Sequence, residues 1–385
     1  MKSTSKILLM ILILANSLFL AGCWNYREID TLRFVAGIAI DKSETGDQYL
    51  LTVETVDIKN GGESIMSSNT ITVAGDTLLD AKKNMDSISG KKLYFAHARV
   101  AVLSQDVAKE GAVKVIDWLA RNAELREDIE VLVSQESTAK AILETGSKTD
   151  QIISFELDKV LKNQKTIANA PEKELWNLIN DLGGNGISAV LPLVSLKKVN
   201  SRTLPSVVGT AVFKKDKLVG FLNDDDTRDL LFIQNKVDGG SLVQNGEGDN
   251  AGSKVSLKIL DNRTKLKPVE KDGNVEISIE IKTTVAIDEI EGTENYIDEP
   301  GRLRLEKTAE ESMKKSIENV IQEVQMKYNS DIFGFGAKVK ADMPGTWKEI
   351  ETLWDDKFKD LKVSVHPELT IKNSAAFSQP LRIGD

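Results

Sequence analysis

The single thiol of this sequence is its side chain best placed for chemistry. Cys23 follows Leu20-Ala21-Gly22, and ahead of these lie Lys2, Lys6 and an apolar run over residues 7–20. A positive n-region, an apolar h-region of about 7–15 residues and small residues before a cut site make a secretory signal, and the run is shorter than the roughly 20 residues a spanning helix needs. A cysteine directly after Ala-Gly can take a diacylglyceryl thioether before cleavage, so Cys23 is the expected lipidation site and the mature N-terminus. The plain alternative is a core cysteine that happens to follow an apolar stretch. With one cysteine in the chain, no internal disulfide can form.

Other groupings offer less. Asp224-Asp225-Asp226 invites calcium, but the run lacks the alternating ligands and distant glutamate of an EF-hand, and acids at the positive end of a helix are the simpler reading. Only His97 and His366 are present, too few for the usual Cys/His zinc site. His97 on a strand reads as structural, with a pH-sensitive contact as the alternative. Gly183-Gly184-Asn185-Gly186 lacks dinucleotide-binding spacing and reads as a loop, while Phe333-Gly334-Phe335-Gly336 has no lysine to hold phosphate and reads as a packing corner. There is no Gly-x-Ser-x-Gly elbow. No catalytic, cofactor-binding or metal-ligating residue is expected, and the chain reads as a non-enzyme.

Loss of residues 1–22 would leave 363 of the 385 residues, and removal of Lys2 and Lys6 would move the formal charge from −9 to −11. That length suggests two or three domains. The acidic balance argues against nucleic acid and against a polybasic membrane patch, leaving the lipid as the anchor. Hydrophobic residues at 41% and charged residues at 28% are ordinary globular values.

The elements that must carry these residues follow from periodicity. Residues 32–41 and 49–58 alternate as a strand pair, and Asp76 is placed to cap a helix with Leu78, Ala81, Met85 and Ile88 on one face. A long strand over 93–103 carries His97, Ser104 opens a helix through Trp118 and Leu119, and 129–133 returns as a strand, giving the order ββ(β)αβαβ. Residues 136–182 read as mostly helical, with Ile153, Leu157, Val160 and Leu161 in a stripe and Pro171 in the first turn of a helix containing Trp176. Pro192 makes 187–196 an expected edge strand. Residues 207–213 and 218–222 form a hairpin before a helix at 224–233. Residues 241–252 read as a loop, followed by strands at 255–260, 266–269 and 275–287 with a turn at Asp272-Gly273. Pro300 starts a helix to about Asn329, whose apolar residues run Leu305, Ala309, Met313, Ile317, Val320, Val324 and Tyr328. A helix with Trp347, Ile350, Trp354 and Phe358, then a strand over 361–371, close the chain. The expected class is α+β, with a signal peptide at 1–22 and about three small domains of largely antiparallel sheet at 23–135, 136–240 and 241–385. The last carries the long helix.

Three blocks carry a resemblance. Cys23-Trp24-Asn25-Tyr26-Arg27-Glu28-Ile29-Asp30 resembles the mature start of the Ger(x)C family, the C-subunit lipoproteins of spore germinant receptors. Gly209-Thr210-Ala211-Val212-Phe213, with Lys217-Leu218-Val219-Gly220-Phe221-Leu222 and Thr227-Arg228, is similar to the family's central block, and residues 331–354 with the strand after them to its C-terminal end. The resemblance implies a non-catalytic sporulation lipoprotein, bearing acyl chains of the palmitate type and held on the extracytoplasmic face of the inner spore membrane. It would act with two integral-membrane receptor subunits in the response to nutrient germinants, without cofactor or nucleic acid, and whether it touches the germinant is left open. The runner-up is a lipid-anchored solute-binding protein, which needs two lobes of repeated parallel βαβ units. A third class, a cell-envelope hydrolase, requires a convergent acid/base site.

Overall fold

The computed structural model describes residues 5–7, 10, 28–59, 65–147, 152–245, 254–291 and 295–373. Its first sheet grows from β1 (Leu32–Lys42), a strand of small and branched apolar residues buried on both faces. β1 pairs antiparallel with β2 (Tyr49–Lys59), which pairs with β3 (Ile65–Gly75), and parallel with β4 (Lys92–Tyr94) and β5 (Val100–Leu103). The sheet continues through β6 (Glu130–Ser134), β7 (Val190–Val199), β8 (Arg202–Lys214) and β9 (Lys217–Leu222). A parallel middle with antiparallel hairpins at both ends needs cover on both faces. One face buries Met85 of α1 (Leu78–Ile88), Val107 of α2 (Gln105–Glu110), Leu119 of α3 (Val113–Arg121) and Leu178 of α7 (Leu175–Gly183). The other buries Ile142 of α4 (Lys140–Ser147) and Leu157 of α5 (Ile153–Lys162), which leads into the short α6 (Gln164–Ile167).

Several expectations change here for physical reasons. The strand over 93–103 is broken: a 3-10 turn at Phe95–His97 drops Phe95 wholly into the core, so the alternation lapses. His97 lies in that turn, its ring 5.3 Å from that of Phe34. Thr77, not Asp76, caps α1 by accepting the N–H of Asp80 at 3.1 Å, and Ile88 is exposed at the helix end. The helix after Ser104 splits at Gly111, whose φ of +142° suits glycine and lets the Ala112 N–H reach the Asp216 carbonyl at 2.7 Å. Pro171 lies ahead of α7, where the chain instead runs beside β6 through an isolated bridge between Glu130 and Glu174. β7 is interior, between β6 and β8. Its Pro192 is tolerated because the register with β8 shifts between Pro192 and Val194 and pairing with β6 begins only at Leu193. Strands from 23–135 and from 136–240 share this one sheet.

After α8 (Asp224–Ile233) the chain enters a second sheet, ordered β10 (Ser241–Asn245), β11 (Lys254–Lys271), β12 (Asn274–Ile290), β13 (Lys362–Asn373). Residues 241–245, expected in a loop, form β10 on β11; residues 246–252 of that loop lie outside the described residues. β11 and β12 make one long hairpin through Asp272-Gly273, both at positive φ. β13 runs parallel to β12, because α9 (Glu299–Glu323) and the short helices α10 (Phe335–Asp342), α11 (Pro344–Ile350) and α12 (Trp354–Lys359) carry the chain back across the sheet. The seven apolar residues of the α9 stripe, which continues through a π-turn at Val324–Tyr328, are all buried. Trp347, Ile350, Trp354 and Phe358 are buried as well, although α11 and α12 are separate helices. The class is α+β, with the long helix in its C-terminal part.

β13 is an edge strand among the described residues, and two of its outward N–H groups are occupied. Glu310 accepts the Leu369 N–H and Glu306 the Ile371 N–H, each at 2.8 Å. Four residues of helix rise about 6 Å and two of strand about 6.6 Å, so the two spacings match. The Glu306→Ala, Glu310→Ala double variant is expected to lose about 1–3 kcal/mol of stability. It is also expected to form larger species on size exclusion, since unpaired edge N–H groups template further strands. A monomeric variant of unchanged stability would contradict this.

Candidate functional site

A convergence of polar groups lies where the first sheet's helices meet the second sheet. Asn235, left-handed at φ +55°, ends the turn after α8, and its Oδ1 accepts the Thr264 N–H of β11 at 2.7 Å. On either side of it stand Gln234 and Lys236, whose backbone N–H groups close the helix end on the carbonyls of Leu230 and Leu231 at 2.9 Å. Across from them Lys173 is pinned beside β6: its N–H donates to Glu130 Oε2 at 3.0 Å, and its carbonyl accepts the Val131 N–H at 3.0 Å. The Lys173 ammonium pairs with Asp181 of α7, and its side chain is only 6% exposed.

A two-lobed cleft opens around these residues. One lobe, of about 390 Å³, is lined by Glu172, Lys173, Glu174, Lys236 and Asp238 among others. The second, of about 700 Å³, shares Lys173, Asn235 and Lys236 with it and continues past Lys265, Leu266, Phe333 and Lys338. Lys236 opens into the cleft, yet the protein crowding its ammonium, and then the charge of Lys173, draw its pKa down to about 8. Burial pushes Glu130 up to about 7, with Glu172 and Glu174 adding repulsion and the Lys173 N–H pulling back. Such an arrangement holds charge at fixed positions. Of the lining residues only Phe333 and Gly334, read as part of a packing corner, were singled out in the sequence, since the cleft is assembled from separated segments.

The residues that were singled out are dispersed. Cys23 and the aromatic residues Trp24 and Tyr26 lie outside the described residues. Asp224, Asp225 and Asp226 form the first turn of α8, where Asn223 caps by accepting the Asp226 N–H at 2.9 Å and Asp225 pairs with Arg228 at 2.7 Å. His97 packs on Phe34 and Tyr94, and His366 lies on β13 near Ser364. Among the described residues no three His, Cys, Asp or Glu side chains gather where they could hold a metal. The Phe-Gly-Phe-Gly corner is built round a residue the sequence reading passed over. Asp331, buried, accepts the N–H groups of Gly334, Phe335 and Gly336 at 2.9, 3.1 and 2.7 Å and the Trp354 indole N–H at 3.0 Å. Burial raises its pKa to about 6, and those four donors hold it from going further.

Comparison with known proteins covers nearly the whole of this architecture. Residues 25–196 match the family described as "Spore germination protein N-terminal domain", and residues 208–375 match "Spore germination B3/GerAC like, C-terminal". The chain belongs to the Ger(x)C family. Relatives from Bacillus subtilis (strain 168) include spore germination protein KC, 22% identical with 98% of each chain covered. Spore germination protein B3 is 25% identical over 94% of this chain and 95% of its own. The crystal structure of the GerBC protein shares the fold, with a TM-score of 0.58 and 20% identity over 88% of this chain and 97% of the other. The first matched stretch ends within β7 and the second begins within β8, two paired strands of the first sheet.

Two outcomes follow from the buried acids. Asp331→Ala is expected to cost about 3 kcal/mol, because four buried donors lose their acceptor. Asp331→Asn should recover little of this, since its amide would turn N–H groups toward Gly336 and Trp354; urea denaturation of both variants measures it. Glu130 and Asp229, both near 7, and Asp331 near 6 all lie above their ordinary values through burial. Their contribution to stability is therefore full below those ordinary values and is lost as pH rises through 6 and 7. The melting temperature should rise from pH 8 to pH 5, and a fall over that interval would contradict the assignment.

Proposed function

We propose that this protein is a lipid-anchored, non-catalytic subunit of a spore germinant receptor, required for nutrient-triggered germination. It would act through contacts with integral-membrane receptor subunits on the extracytoplasmic face of the inner spore membrane. The observation that carries this reading is the presence, in one chain and in order, of Leu-Ala-Gly-Cys and the two Ger(x)C domains. The names of the relatives, all spore germination proteins, support the germination role. Among the described residues no helix is long and apolar enough to cross a membrane, which is consistent with an anchor supplied by Cys23. Stable anchoring takes two acyl signals, each buried methylene contributing about 0.8 kcal/mol, and a diacylglyceryl thioether supplies two chains. Two parallel-sheet lobes of the solute-binding kind are not the arrangement observed, because the second sheet is a hairpin with one parallel strand added.

Metabolic labelling with a fatty-acid analogue is expected to mark the wild-type protein and not Cys23→Ala, which should also leave the membrane fraction. Label retained in that variant, or absent from wild type, sinks the anchor. Integral-membrane receptor subunits should co-purify with the wild-type chain from detergent-solubilised spores, and spores lacking the chain should fail to germinate on nutrients. Normal germination in its absence sinks the receptor role.

A further inference from the structure

A lipid on Cys23 would fix more than attachment, because the tether behind it is short. Only Trp24, Asn25, Tyr26 and Arg27 separate Cys23 from Glu28. Five residue steps span at most about 18 Å, so Cys23 lies no further than that from Glu28 by any path. Glu28 is itself fastened to the fold just before β1: its carbonyl accepts the Thr31 N–H at 3.1 Å and the Thr31 hydroxyl at 2.7 Å. The end of the first sheet at which β1 begins is therefore the end nearest the lipid. The register shows what else lies there. Leu32 pairs with Lys92 at the start of β4, Phe34 pairs with Val56 of β2, and Met66 at the start of β3 opposes Ile58, two residues beyond Val56. The turn after α1 reaches the same place, where Asp86, Gly90 and Lys91 line an open hollow with Asp30 and Leu32. Two large apolar side chains stand out into solvent at this end. Ile88, where α1 finishes, is 64% exposed, and Met66, where β3 starts, is 56% exposed.

We propose that this end of the first sheet lies against the phospholipid surface, with Ile88 and Met66 entering the headgroup layer. This orientation rests on the anchor proposed above. Apolar side chains gain by leaving water, and the short tether holds these two where the bilayer is the surface available to them. Charge at this end is balanced: Arg33 pairs with Asp57 at 3.9 Å and Lys92 with Glu124 at 2.7 Å, while Lys91 shares the hollow with Asp30 and Asp86. The contact therefore needs no anionic lipid and is insensitive to salt. The other end of β1, at the turn containing Glu44, lies about 33 Å away by strand rise and faces away from the bilayer.

Site-directed fluorescence on the lipidated chain in phosphatidylcholine vesicles tests it. Once Cys23 carries its thioether, a cysteine introduced elsewhere is the only free thiol. Met66→Cys, Ile88→Cys and, as control, Glu44→Cys each then take one nitrobenzoxadiazole label, and all three positions are exposed, so the melting temperature should be that of the wild type. A variant that melts early is replaced by Lys91→Cys, exposed on the same turn as Gly90. Labels at 66 and 88 should shift to the blue and be quenched by doxyl-phosphatidylcholine about threefold or more above the label at 44, as expected for groups at headgroup depth. Adding phosphatidylglycerol or raising the salt should leave this unchanged. Equal quenching at 44, labels at 66 and 88 that stay in water, or loss of the difference at high salt would each overturn the proposal. Shielding of 66 and 88 only when integral-membrane receptor subunits are reconstituted with the chain would overturn it in favour of a protein contact. Intact mass of the wild-type chain reads the anchor separately. An unacylated chain overturns anchor and orientation together, whereas an acylated chain with both labels in water overturns the orientation alone.

Discussion

The fold depends on carboxylates placed inside it to receive backbone N–H groups from other elements. Glu54, on β2 and wholly buried, accepts the N–H groups of Ile153 and Ser154 at 2.8 Å and the hydroxyls of Ser154 and Ser68. That seats the start of α5 on the sheet. Asp41 on β1 does the same for α4 through Ala139 and Lys140, at 2.6 and 2.9 Å, and Asp331 for α10. The first N–H groups of a helix have no partner inside it and carry the positive end of its dipole, so an acid is the natural acceptor. Burying that acid costs hydration, which is why Asp41, Glu130 and Asp331 all sit above the ordinary carboxyl range. The acidic composition is thus partly structural. Sheet positions fix where helices begin, and the helices in turn cover the sheet.

The junction of the two sheets is held with similar closeness. Tyr328, at the end of the π-turn, donates its hydroxyl to the Phe221 carbonyl at 2.9 Å across Gly220, where a Cβ would fall 2.1 Å from the tyrosine ring. Ser330 donates to the Phe213 carbonyl, and the Ser188 N–H to that of Asp331 at 2.8 Å. Gly186, at φ +85°, lies against the backbone of Gly336, where a Cβ would come within 2.5 Å. Backbone-to-backbone contact of this kind leaves little room for hinging, so the cleft beside it has a fixed width.

How much of this was legible follows from the range of the interactions. The stripe from Leu305 to Tyr328 and the alternation of β1, β2 and β12 are local signals, and each marks an element that forms. Asp272-Gly273 was readable because a two-residue hairpin needs positive φ at both positions. Glu54 looked like any outward polar residue of an alternating strand, because the helix N–H groups it receives lie about a hundred residues downstream. Asp331 was hidden within an aromatic and glycine run although three of its four donors are the next few backbone N–H groups, because nothing in the local pattern marks a buried acceptor. Pro192 misled because the edge-strand rule has an exception at register shifts, and Gly111 because one positive-φ glycine divides an otherwise continuous helical pattern. Lys173, Gln234 and Lys236 carry no motif, and only the fold brings them together.

β13, the last strand among the described residues, has consequences for the order of assembly. Its parallel neighbour β12 is made first, and α9 to α12 must all follow before β13 exists to pair with it. Until then one side of β12 is open, and the glutamates of α9 have nothing to receive. Closing such a long loop is slow compared with forming the local hairpin of β11 and β12. Any chain that has formed the β11–β12 hairpin but not yet paired β13 would present an open strand edge, the arrangement in which strands of different copies most readily join. Pairing of β13 closes that edge, so this strand acts as a seal on the second sheet.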